Sequence, residues 1–159
     1  MKQDRFLIGI LAGIAVLIIV ALAIFFVRLN NKQVYVDEAT PEGVVHNYVL
    51  AVLNKDYQKA YGYLADLSYK PTFDQFRKSF FVGGGGGLDP SGVSIQIGTA
   101  EISADDASIQ INTLYTSGDL FSSGYTNAGS AQLVKQNGVW KISSMPTYNL
   151  WDYSWYQKP

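Results

Sequence analysis

Leu133-Val134-Lys135-Gln136-Asn137-Gly138-Val139-Trp140-Lys141-Ile142 holds the strongest turn signal in the chain. Asn-Gly is the preferred pair for a two-residue type I′ loop, because both central residues must take positive φ. With Asn137-Gly138 as that loop, Leu133 lies opposite Ile142 and Lys135 opposite Trp140. The lysine stem then lies across the indole at the sheet margin. The stretch predicts an antiparallel hairpin.

Upstream of it the apolar period is two. Val93, Ile95 and Ile97 share one face, with Ser94 and Gln96 on the other. Ile102 has the wrong parity for that face, and a bulge near Gly98-Thr99 restores the register. Asp105-Asp106 predicts a turn into a second strand carrying Ala107, Ile109 and Ile111. Tyr125 to Gln136 reads as the third strand, with Ala131 and Leu133 facing inward.

Before Gly83 the period is helical. Thr40-Pro41-Glu42 offers a hydroxyl cap, a proline at the first helical position and an acid in the first turn. Val45, Tyr48, Val49, Val52 and Leu53 follow on one face. A second helix starts at Asp56 and carries Tyr57, Ala60, Tyr61 and Leu64. Gly62 costs that helix about 1 kcal/mol relative to Ala, which predicts close packing there. Thr72-Phe73-Asp74-Gln75 has capping-box spacing, with Phe73, Phe76 and Phe80 on one side. Each helix is expected to be short, with a single apolar face. Three helices followed by about four antiparallel strands is an α+β layout, with the helices packed on one face of the sheet.

Asn54-Lys55-Asp56-Tyr57-Gln58-Lys59-Ala60-Tyr61-Gly62-Tyr63-Leu64 resembles the helix junction of the nuclear transport factor 2-like superfamily. Gly138-Val139-Trp140-Lys141-Ile142 resembles its final strand, and the similarity spans most of Thr40 to Pro146. The resemblance implies a cone in which a curved antiparallel sheet wraps a long first helix, often enclosing a pocket. Tyr48, Tyr61, Tyr115 and Trp140 are the candidate lining residues of that pocket. Members that isomerise steroids use an Asp base with a Tyr oxyanion donor. No acid here sits at a recognisable matching position, so the resemblance carries no catalytic residue over, and fold alone supplies no function.

The remaining candidates for chemistry are weak. Gly83 to Gly87 lacks the Lys and the Ser or Thr that a phosphate loop needs directly afterwards, and Leu88-Asp89-Pro90 follows instead. A linker between the helical and sheet halves is the expected role. His46, the only histidine, lies at the edge of the first helix's apolar stripe, and the sequence names no acids or cysteines converging on it, so no metal ligation is expected. Asp105, Asp106 and Asp119 serve turns and solvation. Trp151, Tyr153 and Trp155, within the aromatic run Tyr148 to Tyr156, alternate as on a strand. That period predicts an additional edge strand, or a lid over the apolar end of the cone. The functional alternatives for these three rings are a partner interface or contact with a lipid surface. No cofactor, catalytic set or metal site is expected.

Phe6 to Val27 contains no charged or hydrogen-bonding side chain and is bracketed by Arg5 and Arg28. As a helix it extends about 33 Å, close to a bilayer's hydrocarbon core. A buried core helix would show a polar face. A signal peptide cleaved near Ala21-Leu22-Ala23 is the stronger alternative, although its apolar region would be unusually long. The chain has no Cys, which excludes disulfides and cysteine lipidation. Basic residues are level on the two sides of the run, so charge does not orient it.

The expected organisation is a tail (1–5), a transmembrane helix (6–27), a tether (28–39), the nuclear transport factor 2-like domain (40–147) and an aromatic tail (148–159). From Gln33 on, eight Lys plus Arg face twelve Asp plus Glu, a net charge of −4 that excludes a nucleic-acid binder. The function expected is that of a single-pass, non-enzymatic binding or scaffold module in the cell envelope, its folded domain extracytoplasmic. Its partners are the bilayer through 6–27 and an envelope protein or a second copy. Extracytoplasmic domains of type IV secretion assembly subunits and of certain penicillin-binding proteins resemble this arrangement. Two alternatives stay open: a small-molecule binder using the cone cavity, and an isomerase- or dehydratase-type enzyme. The latter requires an acid buried in that cavity.

Overall fold

The computed structural model describes residues 3–30, 33–82, 93–115, 124–146 and 150–158. The chain divides into two compact units, Met1–Val34 and Tyr35–Pro159. The first is a helix, α1 (Gln3–Asn30). Its stretch Leu7–Phe25 is long and apolar enough to cross a membrane, and none of it is buried. Unbroken apolarity on every face is what the bilayer interior demands of a helix and what a soluble surface does not.

The second unit is α+β. Three helices, α2 (Pro41–Leu53), α3 (Tyr57–Gly62) and α4 (Phe73–Val82), precede four strands. These are β1 (Val93–Ser103), β2 (Asp106–Tyr115), β3 (Tyr125–Gln136) and β4 (Val139–Ser144), antiparallel and in sequence order across the sheet. The β3–β4 hairpin forms in the register expected, Leu133 opposite Ile142 and Lys135 opposite Trp140. Asn137 and Gly138 both take positive φ, 52° and 80°, as a type I′ turn requires. The Lys135 ammonium lies 5.4 Å from the centroid of the Trp140 ring.

The bulge in β1 falls between Ile97 and Ala100. It frees the amide of Ala100, which donates to a carboxylate oxygen of Glu42 at 2.7 Å. The β1–β2 turn sits on Ala104-Asp105, one residue earlier than the acidic pair implied, with Ala104 at φ 54°. At the other margin, the amide of Ala65 donates to Ile142, and Ile142 donates back to the carbonyl of Tyr63. The chain at Leu64 thus lies parallel to β4 and covers an edge that would otherwise be open.

The helix starts are those read from the caps. Thr40 Oγ1 accepts from the amide of Gly43 at 3.1 Å. In α4, Thr72 Oγ1 accepts from the amide of Gln75, while Gln75 Oε1 accepts from the amide of Thr72 at 2.8 Å. Two expectations need correction. First, α2 does not have a single apolar face. Val44, Val45, Asn47, Tyr48 and the run Val49–Val52 are all buried, because α2 packs on the sheet and is also covered by residues 36–38 and by the C-terminal segment. Gly43 allows the first of these coverings: a Cβ there would stand 1.9 Å from the carbonyl oxygen of Asp37. Second, Gly62 is not a close-packing site, since a Cβ there would meet nothing within 4 Å. It ends α3, and its carbonyl accepts from Lys141 Nζ at 2.6 Å.

The core joins α2, Phe76 and Phe80 of α4, the inward residues of the sheet and four residues from beyond it, Met145, Leu150, Trp151 and Trp155. The Gly83–Gly87 run and Asp119 lie outside the described residues.

Candidate functional site

The aromatic segment after β4 is built into the folded unit. Its first described residues turn rather than extend, which overturns the expectation of an edge strand. Asp152 causes this: its carboxylate accepts from the amide of Ser154 at 2.9 Å, and its carbonyl accepts from the amide of Trp155 at 3.0 Å. A side chain that satisfies the backbone two residues on competes with any ladder. The turn brings Trp151 and Trp155 together, with ring centroids 4.8 Å apart. Trp155 also meets Phe76 at 5.1 Å and Phe80 at 6.3 Å.

Of the three residues considered for an interface, Trp151 (4% exposed) and Trp155 (7%) are therefore buried, whereas Tyr153 is 39% exposed. Two tyrosine hydroxyls fasten the segment. Tyr48 on α2 donates to the carbonyl of Leu150, and Tyr156 donates to the carbonyl of Ala65 at 2.6 Å. Burial pushes both phenols above their ordinary value; the Tyr156 ring adds to the effect on Tyr48, and Tyr61 and Asp66 add to it on Tyr156.

The four candidate pocket residues do not converge. Tyr48 is wholly buried in the core. Tyr61, half-buried, donates to the carbonyl of Pro71 at 2.8 Å and packs on Phe73 and Phe76. Tyr115 sits at the end of the sheet, stacked on Tyr125 with centroids 4.7 Å apart. Burial, then the neighbouring Tyr125 and Tyr153, raises the Tyr115 phenol. Trp140 is buried beneath Lys135.

Among the described residues, three clefts on the second unit have none of those four in their walls. One, of about 750 Å³, lies between the Tyr69–Pro71 loop, α4 and the C-terminal segment, with Lys70, Lys78, Trp155 and Lys158 in its walls. A second, of about 560 Å³, is bounded by Asp66, Lys70, Gln136 and Lys141. The third, about 360 Å³, includes Asp37, Glu42 and His46. Among the described residues no group of three His, Cys, Asp or Glu is placed to hold a metal ion.

Sequence reasoning missed one polar cluster. Asn47 is fully buried on α2. Its Oδ1 accepts from the amide of Val36 and its Nδ2 donates to the carbonyl of the same residue, both at 2.8 Å. The side chain therefore stands in for one rung of a strand. Glu38 completes the cluster by accepting from the hydroxyl of Tyr63 at 2.7 Å. Burial first, and then the hydrogen bond to Glu38, raises the Tyr63 phenol. An Asn amid Val44, Val45, Tyr48 and Val49 is the signal that could have revealed it, since a buried amide must find partners.

No protein-family model and no curated protein matches the chain. Several solved structures are similar in fold at low identity. A SEC-C motif-containing protein of Rhodopseudomonas palustris is 14% identical, with 69% of this chain and 79% of that one covered and a TM-score of 0.47. A nuclear transport factor 2-like protein of unknown function from Pseudomonas putida is 14% identical over 77% and 96%, with a TM-score of 0.46. A provisionally named nuclear transport factor 2-like transpeptidase of Campylobacter jejuni is 19% identical over 67% and 99%, with a TM-score of 0.45. Helices followed by a four-stranded antiparallel sheet are the α+β layout that the sequence implied. At these similarities, nothing passes from the neighbours to this chain.

Proposed function

We propose that the protein is a single-pass membrane-anchored binding or scaffold module whose folded unit is extracytoplasmic and acts without catalysis. The observation that carries this reading is the pairing of two units in one chain: a wholly exposed apolar helix of membrane-spanning length and a folded α+β unit. Two features of the folded unit favour binding over an isomerase-type reaction. Every acid among the described residues of the folded unit is at least partly exposed, whereas a base in an apolar pocket would be buried with a raised pKa. Tyr48, the tyrosine best placed on the first helix of the cone, spends its hydroxyl on the carbonyl of Leu150. An envelope protein or a second copy of the chain is the expected partner.

Two measurements test this. In cells expressing the full chain, alkaline carbonate washing is expected to leave the protein in the membrane fraction, and protease added to intact cells is expected to degrade residues 35–159. Release by carbonate overturns the anchor; protection of the folded unit until lysis overturns the orientation. Crosslinking in intact membranes is expected to trap the folded unit with a protein neighbour, and recovery of uncrosslinked monomer alone counts against the scaffold role.

A further inference from the structure

We infer that the cleft of about 750 Å³ beneath the C-terminal segment is a binding site for a phosphate-bearing ligand. This deepens the reading as a binding module by naming the chemistry of what is bound.

Charge is the first ground. The chain from Gln33 on is acidic, with eight cations against twelve acids, yet Lys70, Lys78 and Lys158 line this one cleft with Asp152 as its only acid. Lys70 is held by Asp66 at 3.2 Å. Lys78 and Lys158 make no ion pair among the described residues. Asp152 is itself committed to the turn through the amide of Ser154. The two ammonium groups outside any ion pair, Lys78 and Lys158, suit the distributed oxygens of a phosphate, on which an ammonium acts as a compact point charge.

Construction is the second ground. Tyr69, in the cleft wall, and Tyr156, between the wall residues Trp155 and Gln157, hold left-handed backbone conformations, φ 63° and 61°, which non-glycine residues seldom adopt. The amide of Tyr156 donates to the carbonyl of Tyr69 at 3.2 Å, so the two strained residues brace each other across the junction of loop and C-terminal segment. Trp155, wedged between Phe76 and Trp151, supplies a fixed wall, and Pro71 supplies another apolar surface. A cleft of this size with rigid apolar walls and a few charged groups has the features of a preformed ligand site. The other two clefts lack the combination. In the second, both lysines are engaged, Lys70 by Asp66 and Lys141 by the carbonyl of Gly62. The third has acids and no lysine.

A phosphate can reach this site as a free phosphorylated polyol or as a lipid headgroup, and one experiment separates them. The full chain is placed in phosphatidylcholine nanodiscs and its tryptophan emission followed while glycerol 3-phosphate is added at constant ionic strength. A parallel preparation contains phosphatidylglycerol in the disc and no soluble probe. Trp155 borders the cleft, so occupancy is expected to shift emission saturably. A shift with glycerol 3-phosphate alone assigns a free ligand; one with phosphatidylglycerol alone assigns a headgroup.

The double variant Lys78→Gln/Lys158→Gln is expected to weaken the apparent Kd about five- to tenfold, the loss of two partly solvated charge contacts. Lys135→Gln, away from the cleft, is expected to leave it unchanged. Absence of a saturable shift in both preparations overturns the proposal, as does an equal Kd in the double variant or an equal loss in Lys135→Gln. An unchanged melting temperature shows that the double variant is folded. Carbonate extraction and protease access are read separately, so failure here leaves the membrane-module reading standing.

Discussion

The β3–β4 hairpin and the segment Leu150–Lys158 are both short, aromatic and bound to the same core, but they are held in opposite ways. The hairpin is held by its neighbours in sequence: a two-residue turn, facing pairs within ten residues, and a lysine over an indole. The C-terminal segment is held by distant ones. Tyr48 reaches Leu150 across 102 positions and Tyr156 reaches Ala65 across 91. Local fastening costs little chain entropy, whereas closing long loops must be repaid by burial. The segment makes that repayment with Leu150, Trp151 and Trp155, all buried. It should therefore be the more sensitive of the two regions to losing a single side chain.

Trp155→Ala tests that expectation most severely. Emptying the space between Phe76, Phe80 and Trp151 is expected to cost about 3–5 kcal/mol, a large share of the 5–15 kcal/mol or so that a domain of this kind possesses. Denaturant unfolding of the full chain in detergent should show a lowered midpoint. A loss no greater than that of a hairpin-turn variant would erase the distinction between the regions.

The second test uses the tyrosines. Burial raises the phenols of Tyr48, Tyr63 and Tyr156 above the unfolded value of about 10. The folded state thus holds these protons more tightly than the unfolded chain. The stability they contribute is intact below about pH 10 and is lost as pH rises from there through the folded values. Unfolding midpoints are expected to be flat from neutral pH to about 9 and to fall steeply above 10. Tyr48→Phe should cost about 1–3 kcal/mol at neutral pH, because the buried carbonyl of Leu150 loses its donor. The variant's alkaline decline should be shallower than that of the parent. An identical decline would show that Tyr48 has no part in it.

The difference between the regions also explains what could be read from the chain. Strand positions, the β1 bulge and the hairpin register follow from alternation and from Asn137-Gly138, signals contained within a few residues. The caps at Thr40 and Thr72 are equally local. What escaped was set by tertiary partners. Trp151, Tyr153 and Trp155 alternate, and Asp152 breaks the strand they imply by binding the amide of Ser154. Asn47 gave no pattern because its partner, Val36, lies in a segment that reads as a polar tether. The candidate pocket residues came from the family resemblance; in this chain the hydroxyls of Tyr48 and Tyr61 bond to backbone carbonyls, and the Tyr115 ring stacks on Tyr125. The lysine cleft has no sequence signature, since Lys70, Lys78 and Lys158 meet only after the C-terminal segment folds back.

A third variant moves to the hairpin. Gly138 sits at φ 80° with nothing within 4 Å of a Cβ, so Gly138→Ala isolates backbone strain from crowding. It is expected to cost about 1–2 kcal/mol, the penalty for an L side chain in the left-handed region. Thermal melting should register a smaller drop than for Trp155→Ala. A larger one would make the turn, rather than the C-terminal segment, the weak point of the unit.

The smallest effect expected is at Lys135. Its ammonium stands 5.4 Å from the Trp140 centroid, at a solvent-exposed position where a cation over an aromatic face contributes about 0.5–1 kcal/mol. Lys135→Met keeps most of the stem that covers the indole and removes only the charge. A loss of about 0.5 kcal/mol that shrinks in high salt would assign the contact to the cation. A loss of the same size at every salt concentration would assign it to packing by the stem. Either way the cost should stay below that of Gly138→Ala, because the cross-strand register and the turn remain in place when one rim contact is removed.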